Sequence, residues 1–193
     1  MTNLQQQPVV MPIAYPLDDF YARAGRALPR IAAVNGAELP EPQRTLLVHE
    51  TDMTPTLEKF HGDEIHLCVI RSEEREGAYY REVVLQLGKS KKPVEFGAIK
   101  IYLKLFPHAA QRSILEEDLP LGTVLARFKV KHTSRPKAYL KIKADDFICH
   151  SLSLKPGQTL YGRRNTLFDP QQRPLAEIVE ILPPVREEKH EGE

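Results

Sequence analysis

From residue 64 onward the chain alternates apolar and polar residues again and again, and this period of two restricts its fold more than any other feature. FGAIKIYLKLF (96–106) shows it best: Ile99, Ile101, Leu103 and Leu105 fall on one face, with Lys100, Tyr102 and Lys104 opposite. EIHLCVIR (64–71) and YYREVVLQL (79–87) carry the same pattern. Shorter β-type segments follow at ARFKVKH (126–132), AYLKIKA (138–144), TLYGRRNTLF (159–168) and RPLAEIVEIL (173–182). Asp169-Pro170 and the two glutamines after it read as a hairpin turn. Several strands are apolar on both faces, so helices or long loops must cover part of each side.

Helical patterns cluster at the front and in the middle. In LDDFYARAGRAL (17–28), Leu17, Phe20, Tyr21 and Ala24 share a stripe, and Asp18 and Asp19 suit the positive end of a helix dipole after Pro16. A short helix is expected over 41–49. In MTPTLEKFHG, Thr54 is the expected N-cap, Pro55 the first helical residue and Gly62 the stop. Residues 107–125 read as two helical pieces broken at LPLG (119–122). Strands in runs with helices set apart predict an α+β single domain with a six-stranded antiparallel sheet. A chain of 193 residues can bury about 70% of its unfolded surface, enough for one core. Residues 1–40 read as a polar arm punctuated by proline (1–16), the first helix, and a linker through Pro29, Gly36 and Pro40. Residues 41–184 are the expected folded unit, and 185–193 a charged, frayed tail.

Charge narrows the partners. Lys and Arg total 27 against 26 Asp and Glu, which argues against a bulk polyanion binder and predicts no nucleic-acid partner. The basic ribbon Arg127, Lys129, Lys131, Arg135, Lys137, Lys141 and Lys143 has no acid among it, yet little aromatic interleaving, and reads as a solvated strand face. Cys68 and Cys149 are the only cysteines and read as small hydrophobes in a reducing, cytoplasmic setting. No uncharged apolar run approaches ~18 residues, so no membrane span is expected. The N-terminus lacks a basic n-region and is cut by Pro8, Pro12 and Pro16, so no secretory signal is expected. His61 and His66 with Asp63 and Glu64 fit no metal-ligand spacing, and no phosphate-binding loop or dinucleotide fingerprint occurs. The chain is expected to need no metal and no cofactor.

Three buried-looking charges stand out. Arg81 shares its strand face with Tyr79, Val83, Leu85 and Leu87, and a desolvated guanidinium there needs either a buried glutamate or an anionic ligand. Glu180 shares a face with Ala176, Ile178 and Leu182, but Glu177 sits equally well among Leu175, Val179 and Ile181. Parity alone leaves both open. In Gly162-Arg163-Arg164, only one arginine can look into a given pocket, and either reads as structural near a site.

Six segments in order carry a family resemblance: LLVHETDMT (46–54), YYREVVL (79–85), PVEFG (93–97), PLGTVL (120–125), GRRNTL (162–167) and RPLAEIVEILP (173–183). Over about residues 41–184 the chain resembles the chorismate pyruvate-lyases, the 4-hydroxybenzoate synthases of quinone biosynthesis, which feed ubiquinone and plastoquinone. The resemblance implies a cofactor-independent carbon–oxygen lyase with chorismate as substrate and 4-hydroxybenzoate and pyruvate as products. It implies Arg81 as the fork that grips the ring carboxylate, and it selects Glu180, ahead of ILPP, to orient the C4 hydroxyl. These two are the catalytic expectation. Met53 and Leu121 would enclose the ring by backbone groups and apolar walls, and Gly97 would leave room beside the ligand. Many relatives have an arginine just after this glycine, where the chain has Ala98. Lys100 is the expected substitute, and the basic ribbon is a further candidate if it folds over the pocket. The expected state is monomeric. The ligand-binding domains of some bacterial transcription regulators share the implied fold, which makes a non-catalytic binder or sensor of aromatic acids the alternative. Such domains travel with a DNA-binding helix-turn-helix, for which residues 1–40 are too short and proline-rich.

Overall fold

The computed structural model describes residues 11–185, so the first part of the N-terminal arm and the charged tail lie outside the described residues. The strands are β1 (Arg30–Val34), β2 (Ile65–Arg75), β3 (Ala78–Leu87), β4 (Pro93–Ile101), β5 (Thr133–Lys143), β6 (Thr159–Phe168) and β7 (Pro174–Leu182). They pair antiparallel in one sheet, in the order β1-β5-β6-β7-β4-β3-β2. The sheet has seven strands where six were expected. The extra one, β1, lies in residues 29–40, expected as a linker. It is a short edge strand whose Ala32 and Ala33 face Lys141 and Leu140 of β5. With no long alternation of its own, it is held by pairing with its neighbour.

Six helices cover the two faces: α1 (Leu17–Arg23), α2 (Gln43–Leu47), α3 (Met53–His61), α4 (His108–Leu115), α5 (Leu121–Arg127) and α6 (Asp146–Ser151). On one face α1 and α6 bury Leu17, Phe20, Tyr21, Ile148 and Cys149 against Tyr80, Val84, Phe96, Ala98, Leu140 and Ile181. On the other, α4 and α5 pack Ile114, Val124 and Leu125 onto Ile101, Leu167 and Ala176, while α2 and α3 pack Leu47 and Leu57 onto Ile65, Leu85 and Leu182. Each such side chain contributes about 1.5–3 kcal/mol on full burial. The second face therefore carries two apolar clusters, and the ground between them is not apolar.

Several local expectations give way to tertiary contacts. The first helix ends at Arg23, not at residue 28, because Gly25 turns the chain through positive φ. Asp52, not Thr54, is the N-cap of α3, while Gly62 closes it in the left-handed conformation as expected. The alternation at 96–106 stops at Ile101: the last bond to the neighbouring strand joins Tyr102 N–H to Leu175, beyond which Pro174 has no N–H to give. Leu103 and Leu105 then belong to a 3₁₀ turn. ARFKVKH is the end of α5 and a loop, not a strand; Phe128 and Val130 pack on the α4–α5 cluster. Helix α6, unassigned from sequence, is capped by the Asp145 side chain, whose Oδ1 accepts from Ile148 N–H at 2.9 Å.

Candidate functional site

Register fixes which side chains meet on the face under α3 and α5. Val83 of β3 lies opposite Gly97 of β4, which lies opposite Glu180 of β7, which lies opposite Arg163 of β6. One pleat along, the row is Arg81, Ile99, Ile178 and Asn165. Arg81, Val83, Ile99, Asn165, Ile178 and Glu180 of these rows floor a cavity walled by Leu67, Leu85, Glu95 and Leu167, and roofed by Asp52, Met53 and Thr54 of α3 and Pro120, Leu121, Gly122 and Leu125 of α5. Arg81 and Glu180 stand on strands separated by β4, about 10 Å apart across the sheet. The cavity volume is about 40 Å³, room for a few waters. A ring enters only if the helical roof, Met53, Leu121 and Leu125, gives way.

Arg81 is fully buried, and its Nε, Nη1 and Nη2 have no hydrogen-bond partner. Burial pulls its pKa below the ordinary arginine value, while the hydroxyl of Tyr79 and the carboxylate of Glu117 favour the charged form. The guanidinium remains a cation, because nothing in a protein site removes its proton at ordinary pH. Tyr79 donates to Glu117, and burial together with that bond pushes Tyr79 up to about 12. Among the described residues eight buried side-chain polar atoms lack a partner; five of them belong to Arg81, Glu95 and Asn165, all in this cavity. Asn165 directs its amide N–H to Ser134 Oγ at 2.9 Å and leaves Oδ1 free. Native interiors rarely leave so many polar atoms orphaned in one place unless something else satisfies them.

The buried Arg–Glu pair that the sequence offered as an alternative for Arg81 exists, but at Arg163. Arg163 is fully buried and donates through Nε to Glu180. Its remaining N–H groups reach the His49 carbonyl at 2.9 Å, Thr51 at 3.2 Å and Leu47 at 3.3 Å. One side chain thus ties Glu180 and the turn between α2 and α3 to the sheet. Arg164 points to the opposite face, toward Glu177 at 3.5 Å. Glu95 is buried among these groups. Burial first, then the negative charge of Glu180, hold its carboxyl well above the usual carboxylate range, with Arg163 pulling the other way.

The roof closes by a tight contact between its two helices. A Cβ on Gly122 would stand 2.7 Å from Thr54 Oγ1 and 2.9 Å from Thr54 Cβ, so only glycine lets α5 approach α3 this closely. Gly122→Ala is expected to destabilise the protein by about 1–3 kcal/mol in urea denaturation, and to speed hydrogen exchange in α5. The start of α3 is also pinned by Asp52, which hydrogen-bonds His132 at 2.9 Å and raises the His132 pKa.

Arg81, Glu180, Met53 and Leu121 all line this one cavity. Gly97 is not itself a lining residue but lies between Val83 and Glu180, which are; a Cβ there would come within 3.0 Å of Val83 and 3.3 Å of Glu95 Oε1. Pleat decides the glutamate: Glu177 is on the other face, bonded by Thr166. Two sequence expectations fail on the same ground. Ala98 is fully buried under α1 and α6, away from the cavity, and Lys100 shares that face, lying over Tyr15, Tyr80 and Tyr102. Neither can offer a second cation to the ligand. The basic ribbon does not fold over the cavity; Arg135 and Lys137 lie on Phe168, and Lys141 and Lys143 are exposed. The sequence reading lacks Glu95 and Asn165, although Glu95 is the lone acid of β4 and shares its face with Gly97, Ile99 and Ile101, a signal of the kind read at Arg81.

No protein-family model matches the chain, and no curated protein matches it in sequence. Solved structures do. PhnF from Mycobacterium smegmatis superposes with a TM-score of 0.51 at 10% identity, over 74% of this chain and 71% of PhnF. The separate effector domain of PhnF gives a TM-score of 0.51 at 10% identity, over 68% of this chain and 87% of that one. The gene product SA0254 of Staphylococcus aureus gives 0.50 at 9%, over 62% and 82%. What is shared is the fold. No helix of the described residues is long and apolar enough to cross a membrane.

Proposed function

We propose that the cavity binds a small planar acid with one carboxylate and an oxygen at its far end, 4-hydroxybenzoate being the type. The observation that carries this is Arg81, a buried cation with three unused donor nitrogens. A desolvated charge costs several kcal/mol to keep, and a carboxylate meeting the fork with two parallel bonds offsets that. Among the charged groups lining the cavity, Glu180 is paired with Arg163 and Asp52 with His132, which leaves Arg81 as the cation to meet one carboxylate. The likeness of fold to the effector domain of PhnF also supports a binding role. Calorimetric titration tests the reading. Micromolar binding of 4-hydroxybenzoate is expected, with about 2.7 kcal/mol of added stability at a hundredfold excess over Kd. No binding at millimolar acid overturns it.

A second reading is turnover of chorismate. It is favoured by the meeting of Arg81, Glu180, Met53 and Leu121, the residues selected by resemblance, around one cavity. In that reaction the C4 proton leaves, the C3 ether bond to the enolpyruvyl group breaks, and the ring becomes aromatic. Arg81 would hold the ring carboxylate and Glu180 the C4 hydroxyl while Leu121 and Met53 exclude water. Chorismate carries a second carboxylate, for which no further unpaired cation lines the cavity among the described residues. This places turnover second. Release of pyruvate and 4-hydroxybenzoate from chorismate by the protein alone would make the chain a lyase. Binding of the product without turnover leaves it a binding domain.

A further inference from the structure

Resting on the reading of the cavity as an acid-binding site, we propose that Glu95 is the ligand's second anchor: its Oε2 donates a hydrogen bond to the ligand oxygen remote from Arg81. Resemblance gives Glu95 no role. The argument is geometric first. Glu95 lies on the cavity face of β4, opposite Leu85, with 3% of its surface exposed and Oε2 unpartnered. Its Oε1 stands 3.3 Å from the position a Cβ on Gly97 would take, so the carboxyl leans along β4 over that glycine. Gly97 lies directly opposite Glu180. The charge of Glu180 is near enough to raise the Glu95 pKa, and two neighbouring buried carboxyl groups do not readily ionise together. Arg163 holds Glu180 as the carboxylate. The proton falls to Glu95, a donor with nothing in the protein to receive it.

Such a pair reads a hydroxyl from both sides: Glu95 donates to its oxygen and Glu180 accepts its hydrogen. An acid lacking that oxygen leaves Glu95 Oε2 orphaned, as in the empty cavity. The charged and titratable groups around Glu95 are Glu180 from β7, Arg163 from β6 with His49 against it, Arg81 from β3, and Asp52 from α3 with His132 bound to it. The sign of the pH effect follows. Deprotonating Glu95 turns its donor into an acceptor facing lone pairs and adds negative charge beside Glu180. Affinity is thus full while Glu95 is protonated and falls as pH rises through its pKa in the free protein.

The test is the Kd of 4-hydroxybenzoate across the pH range in which the protein stays folded, for wild type and Glu95→Gln. Wild-type Kd is expected to rise at least about tenfold across it. Glu95→Gln keeps a neutral donor, so its Kd should stay within about threefold of wild type at low pH and vary much less with pH. His49 and His132 are present in both proteins, so the difference between the two profiles belongs to Glu95. Benzoate needs no variant: it should bind wild type about tenfold more weakly than 4-hydroxybenzoate at low pH. A flat wild-type profile, a Glu95→Gln profile as steep as wild type, or equal affinity for the two acids overturns the role of Glu95 and leaves acid binding intact. Failure of wild type to bind either acid at any pH overturns the acid-binding reading itself, and this proposal with it.

Discussion

Arg81→Met is expected to make the ligand-free protein more stable and unable to bind. The guanidinium is wholly enclosed with no acceptor for any of its side-chain N–H groups, and Tyr79 and Glu117 offset only part of the cost of stripping it of water. Replacing buried ionic groups by packed apolar side chains of similar volume stabilises proteins by about 1–4 kcal/mol in known cases. Methionine is unbranched and apolar, suited to Val83, Ile99 and Leu121, which line the same cavity. A gain in that range should appear in urea denaturation as a higher midpoint with unchanged slope. Binding of 4-hydroxybenzoate should weaken at least about a hundredfold, because truncating a buried charged pair costs about 2–5 kcal/mol. The two effects have opposite signs, which is what separates a residue kept for a ligand from one kept for the fold. A variant that loses stability and keeps affinity would make Arg81 a structural residue and remove the main support for an acid site. Arg81→Lys keeps the charge and loses the fork, and should bind with an affinity between the two.

How much of this was legible in the sequence depends on what each residue answers to. Strands β3, β4, β6 and β7 were readable because a face pressed against helices must be apolar at every second position. Arg81 was readable for the same reason: it breaks that rule inside YYREVVLQL. Glu180 was only half readable. Both faces of β7 are covered, so Glu177 and Glu180 interrupt equivalent patterns, and resemblance had to choose between them. The pleat of the sheet makes the choice physical, through the row Val83, Gly97, Glu180 and Arg163. Strand β1 was not readable, since five residues without alternation become a strand only because β5 offers an open edge. The failure at Ala98 has a simpler origin. A residue next to Gly97 in sequence is not next to the ligand, because neighbours along a strand look to opposite faces. Lys100 has the same parity as Ala98 and shares that face. Glu95 has the right parity, but no motif points to it.

Arg163→Ala is expected to be the most damaging single substitution at the site, at about 3–5 kcal/mol, the usual loss when one partner of a buried ion pair is removed. The side chain does more than neutralise Glu180. It also donates to the carbonyls of Leu47, His49 and Thr51, so its loss frees the turn that leads into α3 and the roof of the cavity. Denaturation midpoints report the loss, but its pH dependence identifies the cause. In the variant, Glu180 and Glu95 are left as a carboxyl pair with no cation engaged, and such a buried pair binds a proton more tightly than the unfolded chain does. A carboxyl whose folded pKa lies above its unfolded value of about 4.3 stabilises fully below that value and loses its contribution as pH rises. The variant should therefore recover part of its deficit relative to wild type as pH falls toward about 4. If only backbone hydrogen bonds had been lost, the deficit would be the same at every pH. A gap between variant and wild type that does not narrow on acidification would mean that Arg163 anchors the turn but does not hold Glu180 in its charged form. The assignment of the proton to Glu95 would then lose its electrostatic basis, because that assignment requires Glu180 to be the ionised member of the pair.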